Sequence, residues 1–237
     1  MTDGAEDRNK TEGERVKPPL HYSAFDDENE EAEFAREVVS RFRLQPDIKN
    51  KCLFLDRDGT INVFNVGANF KKEHIELIPG VAELIARFIS DGYKIIVITN
   101  QGGIGKGVYT ESDLYCVNEL IDRLLREKGA HIDAVYYCPH FAGGIYPYNK
   151  KCECRKPESL LLRRAIKHFN ADTEKSLFIG DNFTDKACAE KCNVRFYPFE
   201  FRRVRKTSHG FRFVIKEYDN SLINDIFDFA ANATQKT

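Results

Sequence analysis

Residues 51–60 (KCLFLDRDGT) form an apolar run that stops in two carboxylates two positions apart, Asp56 and Asp58. Buried strands usually end in turn residues. Here the chain delivers two negative charges to one place, and Gly59 lets the backbone fold tightly around whatever binds there. Paired carboxylates at a strand end suit a hard cation such as Mg²⁺. They also suit an Asp nucleophile that attacks phosphorus beside a second group working as acid and base. An Asp-rich turn that only caps the next element has the same local composition. Partners elsewhere in the chain separate these readings.

Displacing a phosphoryl group takes a nucleophile, a cation, donors for the phosphoryl oxygens and a proton donor for the leaving group. Asp56 can be the nucleophile, and Asp58 can protonate the leaving oxygen and later activate water. Thr99 ends a strand-like run (KIIVIT, 94–99) and offers a hydroxyl. Lys156 precedes Pro157, where the spacing predicts the start of a helix whose free N–H groups favour anions. Asp181, in GDNFTD (180–185), would join Asp56 and Asp58 around Mg²⁺, with Asp185 holding that loop or assisting from behind.

A second constellation is separate. Cys138-Pro139-His140 and Cys152-Glu153-Cys154 place three thiols and an imidazole in a pair-loop-pair arrangement. That donor set suits tetrahedral Zn²⁺ with all four positions filled by protein, hence a structural role. Zinc there would tie down residues 141–151 and place Arg155 and Lys156.

The elements needed to position these groups are legible. From residue 51 apolar runs of strand length alternate with amphipathic helical stretches near 79–91, 110–128, 157–169 and 184–192. This pattern predicts a doubly wound, mainly parallel, five-stranded α/β sheet. Ligands of such folds bind outside the carboxyl ends of the strands, where Asp56, Thr99, Cys138 and Asp181 all fall. Residues 1–46 are expected to be a disordered tail followed by a solvated amphipathic helix at 27–44 (Phe34, Val38 and Phe42 at i, i+4, i+8), and 47–237 the main domain.

The 237 residues carry 36 basic and 37 acidic side chains, so no global charge points to nucleic acid or membrane. No apolar run approaches the ~18 residues that span a bilayer. Seven cysteines, three of them crowded into 138–154, fit metal binding in a reducing compartment. A cytoplasmic monomer is expected, with the helix at 27–44 a possible partner contact.

At this point DRDGT, ITN, RKP and GDNFTD resemble the four motifs of the haloacid-dehalogenase-like phosphohydrolases. LDRDGTIN (55–62), ITNQGGIGKG (98–107), YYCPH (136–140), CECRKP (152–157) and IGDNFTD (179–185) are similar, in that order, to the heptose bisphosphate and histidinol-phosphate phosphatases. The resemblance covers roughly residues 50–198. It implies a Mg²⁺-dependent aspartyl-phosphate mechanism with the roles above, the same zinc loop, and little or no cap domain. It also implies that 100–109 lines the substrate pocket, with Asn100 and Gln101 beside the phosphate. Lys106 is a candidate for a second anionic group, equally readable as a solvated loop lysine, and Arg155 a candidate substrate contact. The glycine-rich stretch is no Walker A loop, because Gly107 follows Lys106 where Ser or Thr is needed.

The expected reaction is therefore hydrolysis of a small phosphorylated metabolite, such as a sugar phosphate. Histidinol phosphate, a nucleic-acid end and a non-catalytic phospho-ligand module are the alternatives. The basic, aromatic segment 199–213 motivates the nucleic-acid reading, although a solvated hairpin explains it more simply.

Overall fold

A computed structural model describes residues 17–23, 28–64, 70–199, 206–207, 210–211 and 217–232. In chain order they form β1 (Leu20–Ser23), α1 (Glu28–Phe42), β2 (Cys52–Leu55), α2 (Val81–Ser90), β3 (Lys94–Asn100), α3 (Gly102–Gly105), α4 (Glu111–Arg126), β4 (Ala134–Cys138), α5 (Leu160–His168), β5 (Leu177–Gly180), α6 (Phe183–Glu190), β6 (Arg195–Pro198), β7 (Lys206–Thr207), β8 (Gly210–Phe211) and α7 (Asn220–Ala231). β1 to β6 make one parallel sheet in the order β1-β4-β3-β2-β5-β6. β7 and β8 pair antiparallel apart from it.

The side-chain period of two assigns each central strand to two cores. Leu53 and Leu55 of β2, with Ile95 and Val97 of β3, pack on one face with Leu84 and Phe88 of α2 and Ile121 and Leu125 of α4. Phe54, Ile96 and Ile98 point to the other face, against Leu161, Leu162 and Ala165 of α5. Burial on both faces is why these strands read as unbroken apolar runs. Thr110 starts α4 with a capping box to Asp113, as its position suggests.

Three expectations change. The sheet has six strands, the sixth being β1, contributed by the N-terminal extension. Its four residues are too short to stand out in the sequence, and β4 supplies their hydrogen-bond partners. Second, α1 is no solvated appendage. Phe34 and Val38 are buried in the second core, with the Phe34 ring 4.9 Å from Tyr22 and 5.8 Å from Tyr136. Glu31, nearly buried on α1, pairs with Arg164 of α5. Third, the helix expected from Pro157 begins at Leu160, after Ser159, so Lys156 sits in a turn rather than at a helix end.

The C-terminal α7 was not anticipated. Asp219 caps it, and Leu222, Ile223 and Ile226 complete the first core. Its i, i+1, i+4 apolar pattern was the available signal. The basic segment at 199–213 lies largely outside the described residues; only Phe199 and the backbones of β7 and β8 belong to them.

Truncating Phe34 should distinguish an integral helix from a solvated one. Phe34→Ala is expected to cost about 3 kcal/mol or more in urea unfolding, as a core Phe deletion does. A change within ~0.5 kcal/mol would mean a surface position.

Candidate active site

β2 lies between β3 and β5, and all three run parallel, so their carboxyl ends meet at one edge of the sheet. Asp56 follows β2, Thr99 and Asn100 end β3, and Asp181 follows β5. The connection after β4 brings Arg155 and Lys156 to the same edge. Asp56, Asp58, Thr99, Asn100, Arg155, Lys156 and Asp181 line one cavity of about 460 Å³, with Phe64, Asn182, Phe183 and Thr184.

Lys156 is the centre of its charge balance. Its buried ammonium lies 2.8 Å from Asp56 Oδ1 and 2.6 Å from Asp185 Oδ1, and donates to the Ile98 carbonyl at 2.7 Å. Asn100 fixes the backbone beneath it: its Nδ2 donates to the Lys156 carbonyl (3.0 Å) and its Oδ1 accepts from the Lys156 N–H (2.9 Å). Asp56 Oδ1 also accepts from the Arg57 N–H at 2.8 Å.

Oxygens of Asp56, Asp181 and Asp185 all lie within 4.8 Å of one another. Three carboxylates against one ammonium leave excess negative charge in a buried place. Burial first, then the neighbouring carboxylates, pushes Asp56 up to about 6 and Asp181 up to about 7. Such a set of hard oxygen donors, unbalanced as it stands, fits a divalent cation like Mg²⁺. Asp185 is built in firmly. Its Oδ2 accepts from the Asn182 N–H (3.0 Å) in the capping box of α6. A Cβ at residue 180 would fall 2.5 Å from that oxygen, which only Gly180 avoids.

The Asp58 carboxylate, expected beside Asp56 and Asp181 around the cation, stands outside their group of three, which Asp185 completes. The buried Arg57 guanidinium turns back onto it (Nη2 to Oδ2 2.9 Å), and Asn62 and Gln101 donate to it at 3.0 and 2.9 Å. Burial raises the Asp58 pKa, but Arg57 and these donors outweigh burial and hold it below the usual range.

Two expected substrate contacts move back from the cavity. Gln101 is buried, donates to Thr99 Oγ1 (2.8 Å) and accepts from Tyr109 (2.6 Å), so it orients other groups. Lys106 is exposed, with its ammonium 4.5 Å from the Phe141 ring centroid. Arg57, Tyr109 and Phe183 were not singled out from sequence. Arg57 lies inside the DRDGT motif, but only the folded turn shows which carboxylate it captures.

Cys138 at the end of β4, His140, Cys152 and Cys154 converge as the spacing suggests. Their sulfurs are 3.2, 3.2 and 3.6 Å apart, and His140 Nδ1 is 3.1 Å from Cys154 and 3.7 Å from Cys138. Tetrahedral zinc with bonds of about 2.3 Å to sulfur sets sulfurs roughly 3.8 Å apart, so the cluster could close around such an ion. The loop between the two pairs packs on α3. Gly105 N–H donates to the Pro139 carbonyl (2.9 Å), and Ile145 N–H donates to the Gly105 carbonyl (2.7 Å). Cys154 directly precedes Arg155 and Lys156, so the cluster adjoins the segment carrying both.

Comparison with known proteins agrees with this geometry. Residues 51–216 match the family model described as polynucleotide kinase 3 phosphatase. The chain is similar to the D-glycero-beta-D-manno-heptose-1,7-bisphosphate 7-phosphatase of Haemophilus ducreyi, 36% identical over 146 residues, 61% of this chain and 80% of the relative. Among solved structures, a HAD-like phosphatase from Mesorhizobium loti superposes with a TM-score of 0.66 at 29% identity, over 78% of this chain and 88% of that one. The D,D-heptose 1,7-bisphosphate phosphatase of B. bronchiseptica, complexed with magnesium and phosphate, gives 0.57 at 26% identity over 62% and 79%. The chain belongs to the polynucleotide kinase 3 phosphatase family and is a phosphoric monoester hydrolase on the haloacid-dehalogenase-like fold.

Proposed function

We propose that this enzyme is a Mg²⁺-dependent phosphatase that hydrolyses a phosphate monoester of a small polar metabolite, a sugar phosphate such as heptose bisphosphate, through an aspartyl-phosphate on Asp56. The observation that carries it is Asp56 held by Lys156 and the Arg57 N–H within a cavity shared with Thr99, Asp58 and Asp181. The similarity to heptose bisphosphate phosphatases supports the substrate class.

Asp56 attacks phosphorus, and the bond to the leaving oxygen breaks. Lys156 and the Thr99 hydroxyl stabilise the phosphoryl oxygens. Asp58 gives the leaving oxygen its proton, then takes one from the water that hydrolyses the aspartyl-phosphate. Arg57 keeps Asp58 ionised in the free site, the form the water step needs. The negative phosphate arriving beside Asp58 favours its protonation for the first step. Asp56, Asp181 and Asp185 would hold a Mg²⁺, which would supply neutralisation of charge on the phosphoryl group. Cys138, His140, Cys152 and Cys154 would hold a structural zinc, which would keep Arg155 and Lys156 in place. The connection between β2 and α2 comprises residues 56–80, which supports a site without a cap domain. None of the seven cysteines is paired in a disulfide, which favours a reducing, cytoplasmic setting.

A second reading, a phosphatase of nucleic-acid ends, is favoured by the matching family model. Release of phosphate from heptose bisphosphate, histidinol phosphate and a 3′-phosphorylated oligonucleotide, compared at equal concentration, separates the readings. Heptose bisphosphate is expected to give the highest kcat/KM, and preference for the oligonucleotide would overturn it.

Asp56→Asn should abolish phosphate release, and Asp58→Asn should lower kcat by about 10²–10⁴-fold. Asp56→Asn retaining wild-type turnover would remove Asp56 as nucleophile. The raised carboxylates also set a pH dependence. Folded metal-free protein holds protons on Asp56 and Asp181 that the unfolded chain, titrating near about 4, releases. Their contribution to stability therefore falls as pH rises from about 4 to about 7. Without Mg²⁺, the Tm of wild type relative to Asp181→Asn should drop across this window, and Mg²⁺ should reverse the drop. A flat difference would contradict the buried repulsion. Stripping metal with a thiol-directed zinc chelator should lower both Tm and kcat, restored by zinc. Unchanged values in protein verified to have lost zinc would leave the cluster without a structural role.

A further inference from the structure

A cavity of about 770 Å³ lies at the amino ends of the strands, opposite the candidate active site. It opens between the C-terminal end of α1, the start of β3, the C-terminal end of α4 and the residues before β1 and β4. Five cationic side chains line it: Lys17, Arg41, Arg43, Lys94 and Arg126. Arg126 is neutralised by Asp122 at 2.6 Å. Within the described residues no carboxylate forms an ion pair with Lys17, Arg41, Arg43 or Lys94.

The carboxylate in the lining, Asp133, is already engaged. Its Oδ2 accepts from the Ile95 N–H at 2.8 Å, and His131 Nε2 lies 3.3 Å from Oδ1. Helix C-terminal carbonyls account for some positive charge beside α1 and α4. They do not account for Lys94, which begins β3 with its ammonium 5.3 Å from the Phe42 ring centroid, or for Lys17, which precedes β1. Burial lowers the Arg41 pKa, and Arg126 pushes the same way against Glu37, Asp133 and Asp122. Like charges gathered in a concavity repel one another and focus a field that attracts anions.

We infer that this cavity binds a diphosphate-bearing small anion through Lys17, Arg41, Arg43 and Lys94, a site separate from the catalytic one. The charge count points to two phosphates. Five lining cations less the carboxylates of Asp122 and Asp133 leave a net charge of about +3, which matches the three to four negative charges that two phosphate groups carry together, at about −1.5 to −2 each. Such a ligand would join the N-terminal extension, which supplies Lys17, Arg41 and Arg43, to Lys94 of the central sheet. It would thereby strengthen the docking of β1 and α1.

The test is calorimetric titration of the full chain with pyrophosphate in magnesium-free buffer at fixed ionic strength. Wild type should show saturable binding, weakened at least tenfold in Arg43→Gln/Lys94→Gln and unaffected in Arg155→Gln, which alters the catalytic cavity. The single Arg43→Gln change, on an exposed residue just after α1, should weaken binding several-fold and avoids any folding defect of the double variant. Binding that is lost in Arg155→Gln but kept in Arg43→Gln/Lys94→Gln would overturn the assignment. So would the absence of any binding beyond that of chloride at equal ionic strength.

Discussion

One buried ammonium underlies the candidate active site. Lys156 lies between Asp56 and Asp185, at 2.8 and 2.6 Å, with almost none of its surface open to water. A buried charge without partners is costly, and breaking such a pair by removing one partner costs roughly 3–5 kcal/mol. Lys156 therefore has to be where the carboxylates are, and much of the local structure follows from that requirement. Asn100, at the end of β3, clips its backbone on both sides. Gly180, at the end of β5, leaves the space that Asp185 fills. The Cys₃His cluster ends two residues before it, at Cys154.

The same pairing explains why two neighbouring carboxylates behave differently. Asp56 and Asp181 share a buried, negatively charged space and are pushed up, whereas Asp58 has a guanidinium of its own and is held down. Lys156 offsets only part of the upward push on Asp56, whereas Arg57 and its neighbouring donors outweigh burial at Asp58. Two carboxylates separated by one residue are thus tuned apart by their environments, as groups with distinct roles in one reaction need to be.

Much of this was legible in the sequence. The strand ends at Asp56, Thr99 and Asp181 could be placed because unbroken apolar runs mark central parallel strands, and one topological rule puts their carboxyl ends together. The zinc-type cluster was legible because its four donors lie in two tight pairs. Contacts across the fold were less legible. Arg57 capturing Asp58, Asp185 displacing Asp58 from the three-carboxylate group and Gln101 turning inward all depend on rotamers set by tertiary neighbours. The N-terminal extension misled for a different reason. A four-residue strand and a helix with a narrow apolar stripe look solvated until Tyr22, Phe34 and Val38 are seen packed between β4 and α5.

The central claim is that Asp56, poised by Lys156, becomes covalently phosphorylated. The most direct measurement is rapid acid quenching of the enzyme during turnover of p-nitrophenyl phosphate with Mg²⁺, followed by peptide mass analysis. The account predicts a phosphoryl group on the peptide containing Asp56, absent from Asp56→Asn. Sustained turnover with no phosphorylated peptide, or with the phosphoryl group on another residue, would contradict it.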